Sequence, residues 1–171
     1  MAAIAFPLLT SRLALRPFVL EDAPAMRAVY EDEAVMRYVG TGRFRDATMT
    51  AALLREYAEQ QAKRGFAFWA VVEQASGRLI GDAGLTGLPA PEPALELGYT
   101  LRRDCWGRGL ATEAARACVR VGFEVLGVPA VVALVEPANV ASVRVVEKVG
   151  MERTGEQMMH GRKHHVFRLD R

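Results

Sequence analysis

The sequence predicts an α+β protein in three α/β/α layers, with a mixed, mostly antiparallel central sheet between helices. Short segments of alternating apolar and polar residues, joined by links of hairpin length, predict antiparallel strands. A strand–helix–strand segment in the middle of the chain predicts a mixed rather than a purely antiparallel sheet. The run 130–135 is apolar at every position, which is typical of a strand at the centre of a covered sheet.

A single domain over residues 1–171 accommodates these elements, because the chain has no repeat and no convincing linker. Hydrophobic residues make up 51% and charged residues 25%, a globular composition. The net charge of +2 is too small to indicate a nucleic-acid partner. No apolar run has the roughly 20 residues of a membrane span, and the N-terminus carries no basic leader. We therefore expect a cytoplasmic protein that binds neither nucleic acid nor membrane.

Two helices and three strands are predicted in the first half of the chain. Asp22 is a candidate N-cap, and Pro24 fits the first turn of the helix that follows it. Gly65 marks the end of the second helix, whose apolar residues recur at helical spacing. The predicted helices are 22–30 and 48–64, and the predicted strands are 13–16, 66–73 and 79–88.

The second half predicts a strand, a long helix, the central strand, a short helix and a C-terminal hairpin. In the strand, Glu96, Gly98 and Thr100 alternate with leucine and tyrosine on the opposite face. The Pro-rich segment 88–93 predicts a loop before it. Gly161 lies in the turn of the hairpin. The predicted strands are 95–101 and 130–135, the helices are 109–127 and 139–148, and the hairpin is 151–169.

The most informative segment is the turn that contains Gly107 and Gly109, between the strand and the long helix. Glycine lets the backbone approach a ligand closely, and the first turn of a helix offers free N–H groups and a partial positive charge. This combination predicts a site for a phosphate or diphosphate. Three arginines are expected to reinforce the positive charge: Arg102, Arg103 and Arg108.

Other phosphate motifs fit less well. A P-loop requires a Gly-Lys pair, which the sequence lacks. A dinucleotide fingerprint would place glycine or alanine where Thr112 stands, and it would be followed by repeated strand–helix units that are not predicted. A glycine-rich turn that binds no ligand remains open.

Residues 106–114, with the sequence Trp-Gly-Arg-Gly-Leu-Ala-Thr-Glu-Ala, resemble the acetyl-CoA diphosphate loop of the GNAT N-acetyltransferase superfamily. They are most similar to its RimJ/RimL branch of ribosomal-protein N-terminal acetyltransferases. Residues 11–17 resemble the opening strand of that branch, 96–99 its bulged fourth strand, and 139–151 its Asn-x-x-Ser helix. The four motifs stand in consistent order over nearly the whole chain. The resemblance implies an acyl-CoA N-acyltransferase fold with a splayed pair of parallel strands.

The resemblance also implies transfer of the acetyl group of acetyl-CoA to a primary amine by direct attack in a ternary complex. The acceptor is expected to be a small-molecule amine or a protein N-terminus, and acetyl-CoA the co-substrate. A non-catalytic acyl-CoA-binding sensor or structural domain is the alternative, and a nucleotide-binding oxidoreductase is a remote third. No metal is expected. The oligomeric state, with a homodimer as one option, stays open.

In such a fold the bulge splays the strands around pantetheine, and an N–H near Gly98 or Tyr99 polarises the acetyl carbonyl. A glycine that only serves packing is the alternative for Gly98. Asn139 is expected to bind pantetheine while it caps its helix. The expected cofactor-binding residues are Leu97, Gly98, Tyr99, Thr100, Leu101, Trp106, Gly107, Arg108, Gly109, Leu110, Ala111, Thr112 and Asn139.

Two residues are the catalytic candidates. Glu96, on the face that would border the cleft, is expected to take the proton of the amine through water. A solvated or ion-paired carboxylate is equally compatible with its position. Many members of the superfamily carry a tyrosine acid where Val146 stands, so Ser142 is expected to protonate the leaving thiolate. A role for Ser142 in helix packing also remains open.

The remaining reactive residue types suggest no further chemistry. Cys105 has no histidine partner, and Cys118 lies on the apolar face of the long helix, which predicts a core residue. Trp69 is expected in the core, and the histidines at 160, 164 and 165 lack the partners of a metal site. The acceptor is expected against the loop 32–45, whose candidate wall residues are Tyr38, Arg43 and Phe44.

Overall fold

The computed structural model describes residues 3–43, 45–88 and 93–171. Within these residues the strands are β1 (Leu8–Leu9), β2 (Leu13–Arg16), β3 (Phe68–Glu73), β4 (Arg78–Gly87), β5 (Ala94–Leu101), β6 (Ala130–Val135), β7 (Glu152–Met159) and β8 (Arg162–Asp170). The α-helices are α1 (Ala23–Tyr30), α2 (Glu33–Met36), α3 (Ala47–Arg64), α4 (Leu110–Arg120) and α5 (Val140–Val149). The strands form one sheet in the order β1-β2-β3-β4-β5-β6-β8-β7.

The parallel pair β5–β6 interrupts an otherwise antiparallel sheet. Its ladder holds only three residue pairs, from Ala94 opposite Ala130 to Glu96 opposite Val132. Beyond them β5 continues to Leu101 and β6 to Val135 without pairing to each other in the described part of the chain. The predicted fold class, including a splayed parallel pair in a mixed sheet, is confirmed.

Each face of the sheet packs against its own helices. On one face, buried residues such as Trp69, Leu97 and Val131 form a core with Ala114 of α4 and Val146 of α5. On the other face, residues of α1 and α3 pack over β3 and β4 in a second buried cluster, formed by Met26, Val29, Tyr30, Leu54 and Ala70 with their neighbours. The three layers follow from the alternation of side chains along each strand.

Glycine ends two of the helices, and for Gly65 this was predicted. Gly65 follows α3 with a φ of +80°, and Gly150 follows α5 with a φ of +100°, both in the left-handed region that L-residues avoid. Asn139 caps α5 by accepting a hydrogen bond from the backbone N–H of Ser142 at 3.2 Å. Trp69 and Cys118 are fully buried, as predicted.

Asp22 is the N-cap residue of α1, as predicted, but the predicted cap by its side chain is wrong. A 3₁₀ turn runs directly into the helix, and the Asp22 side chain makes no hydrogen bond to the first turn of α1. Its carboxylate instead accepts two hydrogen bonds from the guanidinium of Arg16, at 2.7 and 2.8 Å, and one from the backbone N–H of Val19. Asp22 therefore ties β2 to the start of α1.

Other differences concern short or irregular elements. The predicted helix 109–127 is α-helical only to Arg120, and Val121–Val125 form a π-helical turn. Gly122 lies in that turn, where a Cβ would stand 3.2 Å from Val131 Cγ2, so the absence of a side chain at Gly122 lets the helix end pack close to β6. The short elements β1 and α2 were not predicted, and residues 89–92 of the Pro-rich segment lie outside the described residues.

Asp82 of β4 is a fully buried carboxyl group that sequence reasoning did not single out. Its Oδ2 accepts a short hydrogen bond from the Tyr30 hydroxyl, and its Oδ1 has no hydrogen-bond partner among the described residues. The Arg45 guanidinium lies 5.2 Å from the centre of the Tyr30 ring. Burial raises the pKa of Asp82 from 3.8 to about 6, against the smaller lowering effects of Tyr30 and Arg45.

Stability should therefore depend on pH through Asp82. Because the pKa is higher in the folded than in the unfolded chain, the stabilisation is complete below about pH 4 and is lost as the pH rises through 6. The loss amounts to about 3 kcal/mol. We expect Asp82→Asn to abolish this loss, so that urea unfolding shows the variant gaining about 3 kcal/mol on the wild type between pH 4 and about pH 7. The control Glu59→Gln, on the exposed face of α3, should keep the pH dependence of the wild-type unfolding free energy. If the unfolding free energy of Asp82→Asn changed with pH in the same way as that of the wild type, the assignment to Asp82 would be contradicted.

Candidate functional site

A cavity of about 630 Å³ lies where β5 and β6 have separated. The end of β5, residues 99–101, forms one wall, and the glycine turn with the first turn of α4, residues 106–112, forms the second. Residues 138–148 of the α5 segment and residues 34–39 at α2 close the remaining sides. The splay of the two strands thus opens a space into which four segments face.

Most of the predicted site residues line this cavity: Tyr99, Thr100, Leu101, Trp106, Gly107, Gly109, Leu110, Ala111, Thr112, Asn139 and Ser142. Glu96, Leu97, Gly98 and Arg108 do not. Leu97 is buried in the core between the sheet and α4. The side chain of Arg108 turns outward and pairs with Glu73 at 2.5 Å.

No bulge occurs at Gly98 in the ladder that β5 makes with β4, although the pairing with β6, which the predicted bulge was to open, ends next to it at Glu96. The pairing runs without a register shift from Leu101 opposite Gly81 to Leu95 opposite Gly87. A Cβ on Gly98 would come 2.5 Å from Cζ of Phe68, so the Phe68 ring requires a glycine beneath it. The packing interpretation explains this glycine, and the splay arises on the other side of β5.

Glu96 is half-buried and lies on the same face of β5 as Gly98 and Thr100. Its Cα is about 13 Å from that of Thr100 along an extended strand, and Phe68 covers Gly98 between them. Burial raises the pKa of Glu96, and no described residue forms an ion pair with it. Glu96, the predicted base, is therefore a desolvated carboxyl group at the point where β5 and β6 separate, and it does not line the cavity.

The glycine turn presents backbone rather than side chains to the cavity. Gly107 and Gly109 have φ values of +72° and +77°, and a Cβ on Gly107 would meet no atom within 4 Å. Gly109 is the N-cap of α4 and supplies no side-chain acceptor. The first N–H groups of α4 thus face the cavity side of the turn with the positive end of the helix dipole, which suits an anion.

Glu113 fastens this turn from outside the cavity. Its carboxylate accepts hydrogen bonds from the hydroxyls of Thr10 and Ser11 and from the backbone N–H and Nε of Arg12, at 2.6 to 3.1 Å. Arg12 Nη1 in turn donates to the backbone oxygen of Arg108 at 2.9 Å. Side chains therefore hold the turn from the side that faces away from the cavity.

The arginines expected to reinforce the positive charge are neutralised by acids. Arg102 pairs with Asp104 at 3.1 Å, Arg103 with Asp32 at 3.1 Å, and Arg108 with Glu73 at 2.5 Å. The cations that border the cavity are instead Arg37, Arg144 and Lys148, which form no ion pair with the described residues. Sequence reasoning missed the last two, although their spacing of four on α5 places them on one helix face.

The wall after α2 is held by the C-terminal hairpin. Arg162 donates hydrogen bonds to the backbone oxygens of Arg37 at 3.0 Å and Gly40 at 2.6 Å, and pairs with Glu136 at 2.5 Å. Tyr38, a predicted wall residue, lines the cavity. Arg43 is exposed outside it, and Phe44 lies outside the described residues.

The other reactive groups behave as structural residues. Cys105 lines the cavity but is almost wholly buried, and burial together with Asp104 raises the pKa of its thiol, which disfavours a nucleophilic thiolate. Trp106 is half exposed and donates from Nε1 to the Leu101 oxygen at 2.9 Å. Within residues 3–43, 45–88 and 93–171, no group of three metal-ligating side chains occurs, and no helix has the length and apolar composition needed to cross a membrane.

Comparison with known proteins points to one family. The family model described as "Acetyltransferase (GNAT) domain" matches residues 12–152. The uncharacterized N-acetyltransferase YoaA of Bacillus subtilis is 32% identical over 152 residues, which cover 88% of this chain and 85% of that protein. The spermidine N(1)-acetyltransferase of Escherichia coli is 25% identical over 144 residues, which cover 84% of this chain and 75% of that protein.

Solved structures share the fold. A GNAT-family acetyltransferase from Bacillus anthracis superimposes with a TM-score of 0.85 at 23% identity, covering 95% of this chain and 96% of that one. The ribosomal-protein alpha-N-acetyltransferase RimL, solved in complex with coenzyme A, superimposes with a TM-score of 0.79 at 16% identity over 94% and 95% of the two chains. At these identities the likeness concerns the fold alone.

Proposed function

Since the chain belongs to the GNAT acetyltransferase family and is an acetyl-CoA-dependent acetyltransferase, we propose that its cavity holds acetyl-CoA and a primary amine together and that the amine attacks the thioester directly. The observation that carries this proposal is the continuity of the cavity from the glycine turn of α4 to the gap between β5 and β6. The same cavity thus contains the anion site at the start of α4 and the edge of β5 that does not pair with β6.

The anion site suits the diphosphate of coenzyme A. Backbone amides of residues 107–112 would bind it, and Arg144 and Lys148 on the facing helix add positive charge. Pantetheine would run along residues 99–101, with Asn139 on the opposite wall. Because β5 pairs with β6 only as far as Glu96, the backbone groups on that edge of residues 97–101 have no partner on β6 and can bond a ligand, except that the Leu101 oxygen accepts from Trp106.

Acetyl transfer makes three demands on this site: the amine must lose a proton, the thioester carbonyl must be polarised, and the leaving thiolate must be protonated. The backbone N–H of Tyr99, on the unpaired edge of β5, would polarise the carbonyl, whereas the N–H of Gly98 lies on the edge that pairs with β4. Glu96 would take the amine proton through water, since it lies beside the splay but not in the cavity wall. The proton for the thiolate must come from a hydroxyl at the α5 end, where Ser142 lies.

The acceptor would enter past residues 34–39, the wall opposite α5. The relatives differ in acceptor, since one is named for spermidine and another for ribosomal-protein N-termini. A panel of spermidine and of short peptides that begin with alanine or serine therefore tests the proposal. We expect at least one acceptor to release thiol from acetyl-CoA at a rate well above hydrolysis. Tight acetyl-CoA binding without turnover on any amine of the panel would instead support the sensor alternative.

Gly107→Val should weaken acetyl-CoA binding roughly tenfold or more, because a branched side chain at a left-handed position distorts the turn and covers its amides. Gly127→Val is the matched control: Gly127 also has a positive φ, +69°, and equally open space, but lies outside the cavity. Both variants should lose about 1–2 kcal/mol of stability. Calorimetric titration with acetyl-CoA measures the difference; equal affinity of the two variants would argue against binding at the turn.

Glu96→Gln should lower kcat about a hundredfold. In the wild type we expect kcat to rise with pH as Glu96 loses its proton, at a pH above the ordinary range for glutamate because burial raises its pKa. The variant should lack that rise. Glu147→Gln, on the exposed side of α5, should keep it. A pH profile of Glu96→Gln with the wild-type shape would remove Glu96 as the base.

A further inference from the structure

The leaving thiolate needs a proton donor, and the hydroxyl groups that line the cavity are the candidates. Among the described residues they belong to Tyr38, Tyr99, Thr100, Thr112 and Ser142. Tyr38 belongs to the wall opposite α5, and Thr112 lies in the first turn of α4. Thr100 points to the face of β5 that carries Asp82 of the neighbouring strand, away from α5. Two candidates meet at the start of α5, Tyr99 and Ser142.

The Tyr99 side chain leaves β5 on the face that packs against α4 and α5. Its hydroxyl donates a hydrogen bond to the backbone oxygen of Ser142 at 3.2 Å, so it crosses the gap between the separated strands. This distance is longer than the 2.7–2.8 Å that is usual between two oxygens, and the bond is correspondingly easy to give up. A phenol that spans the gap can turn its proton from the carbonyl to an atom in the cavity.

The chemistry of the two hydroxyls favours Tyr99. A phenol is a far stronger acid than the aliphatic hydroxyl of Ser142. Burial raises the pKa of Tyr99 to about 12, partly offset by its bond to Ser142, so the group keeps its proton at any physiological pH. The same desolvation raises the pKa of a thiol in the cavity, which keeps the proton affinities of phenolate and thiolate close enough for transfer.

We propose that Tyr99 is the general acid that protonates the coenzyme A thiolate as it leaves. This inference rests on the proposed function. When the C–S bond of the tetrahedral intermediate breaks, its electron pair goes to sulfur, the O–H bond of Tyr99 breaks and an S–H bond forms. Because the amine attacks as neutral –NH₂, after Glu96 has taken the ammonium proton through water, the nitrogen bonded to the acetyl carbon carries two protons. The phenolate takes one of them, and the neutral amide keeps the other. Tyr99 returns to its starting state, and no further reactant is required.

Ser142 then acts through its main chain. Its oxygen holds the phenol between turnovers, and its N–H is fixed by the Asn139 side chain at 3.2 Å. The cap of α5 thereby sets the position of the acid, although the two residues are 43 positions apart in the chain.

Tyr99→Phe tests the assignment with the best acceptor from the amine panel. We expect kcat to fall about a hundredfold, with KM for acetyl-CoA changed less than threefold, because the ring that packs in the cavity is retained. The loss should exceed that of Ser142→Ala at least tenfold. Tyr57→Phe removes another buried phenol, stacked on Phe68 and outside the cavity, and should leave kcat within twofold.

A fluorinated tyrosine at position 99, whose phenol is a stronger acid, separates acid catalysis from a structural role. The wild type should show no descending limb up to about pH 10, whereas the fluorinated enzyme should lose activity at a pH set by its lowered phenol pKa. An unchanged profile, or a larger loss for Ser142→Ala than for Tyr99→Phe, would overturn the inference while leaving the proposed function intact. Absence of wild-type turnover on every amine would overturn both.

Discussion

The separation of β5 from β6 after Glu96 is the constraint on which the site depends. While two parallel strands remain paired, their backbone groups satisfy each other and leave no room between them. Once they part, one edge of β5 is free, α5 can approach from the far side, and the first turn of α4 faces the resulting space. The helices α4 and α5 stabilise the open arrangement, since both bury side chains against β5 and β6.

Local patterns predicted most of the architecture, because periodicity and glycine punctuation act within a few residues. The helices α3 and α5 end at Gly65 and Gly150, and a glycine directly after a helical pattern is typical of a left-handed helix end. The failures have a different origin. Asp22 was predicted to cap α1 with its side chain, which instead bonds to Arg16; Gly98 shows no bulge toward β4 and lies under Phe68. In both cases a competing tertiary contact decided the outcome.

The candidate site divides in the same way. The wall residues of the glycine turn form one short sequence segment and those at the start of α5 form another, so a sequence motif predicts each set. Charge was harder to predict, because Arg102, Arg103 and Arg108 find acidic partners on other elements. The contact between Tyr99 and Ser142 depends on how far two strands have separated, which no local pattern encodes. Local motifs therefore predict the walls of the cavity, whereas its proton donor depends on a contact between residues that are 43 positions apart.

The grip of Arg162 on the segment after α2 has an evolutionary consequence. Its guanidinium holds the main-chain oxygens of Arg37 and Gly40 rather than their side chains. Carbonyl groups are present whatever the residue, so Arg37 and Tyr38 can exchange their side chains and the segment still docks in the same place. Val39 packs against the core and Gly40 has a φ of +54°, so these two positions are constrained. Such an anchor lets the lining change toward new amines without rebuilding the scaffold, and it marks residues 37 and 38 as positions suited to randomisation in a directed-evolution library.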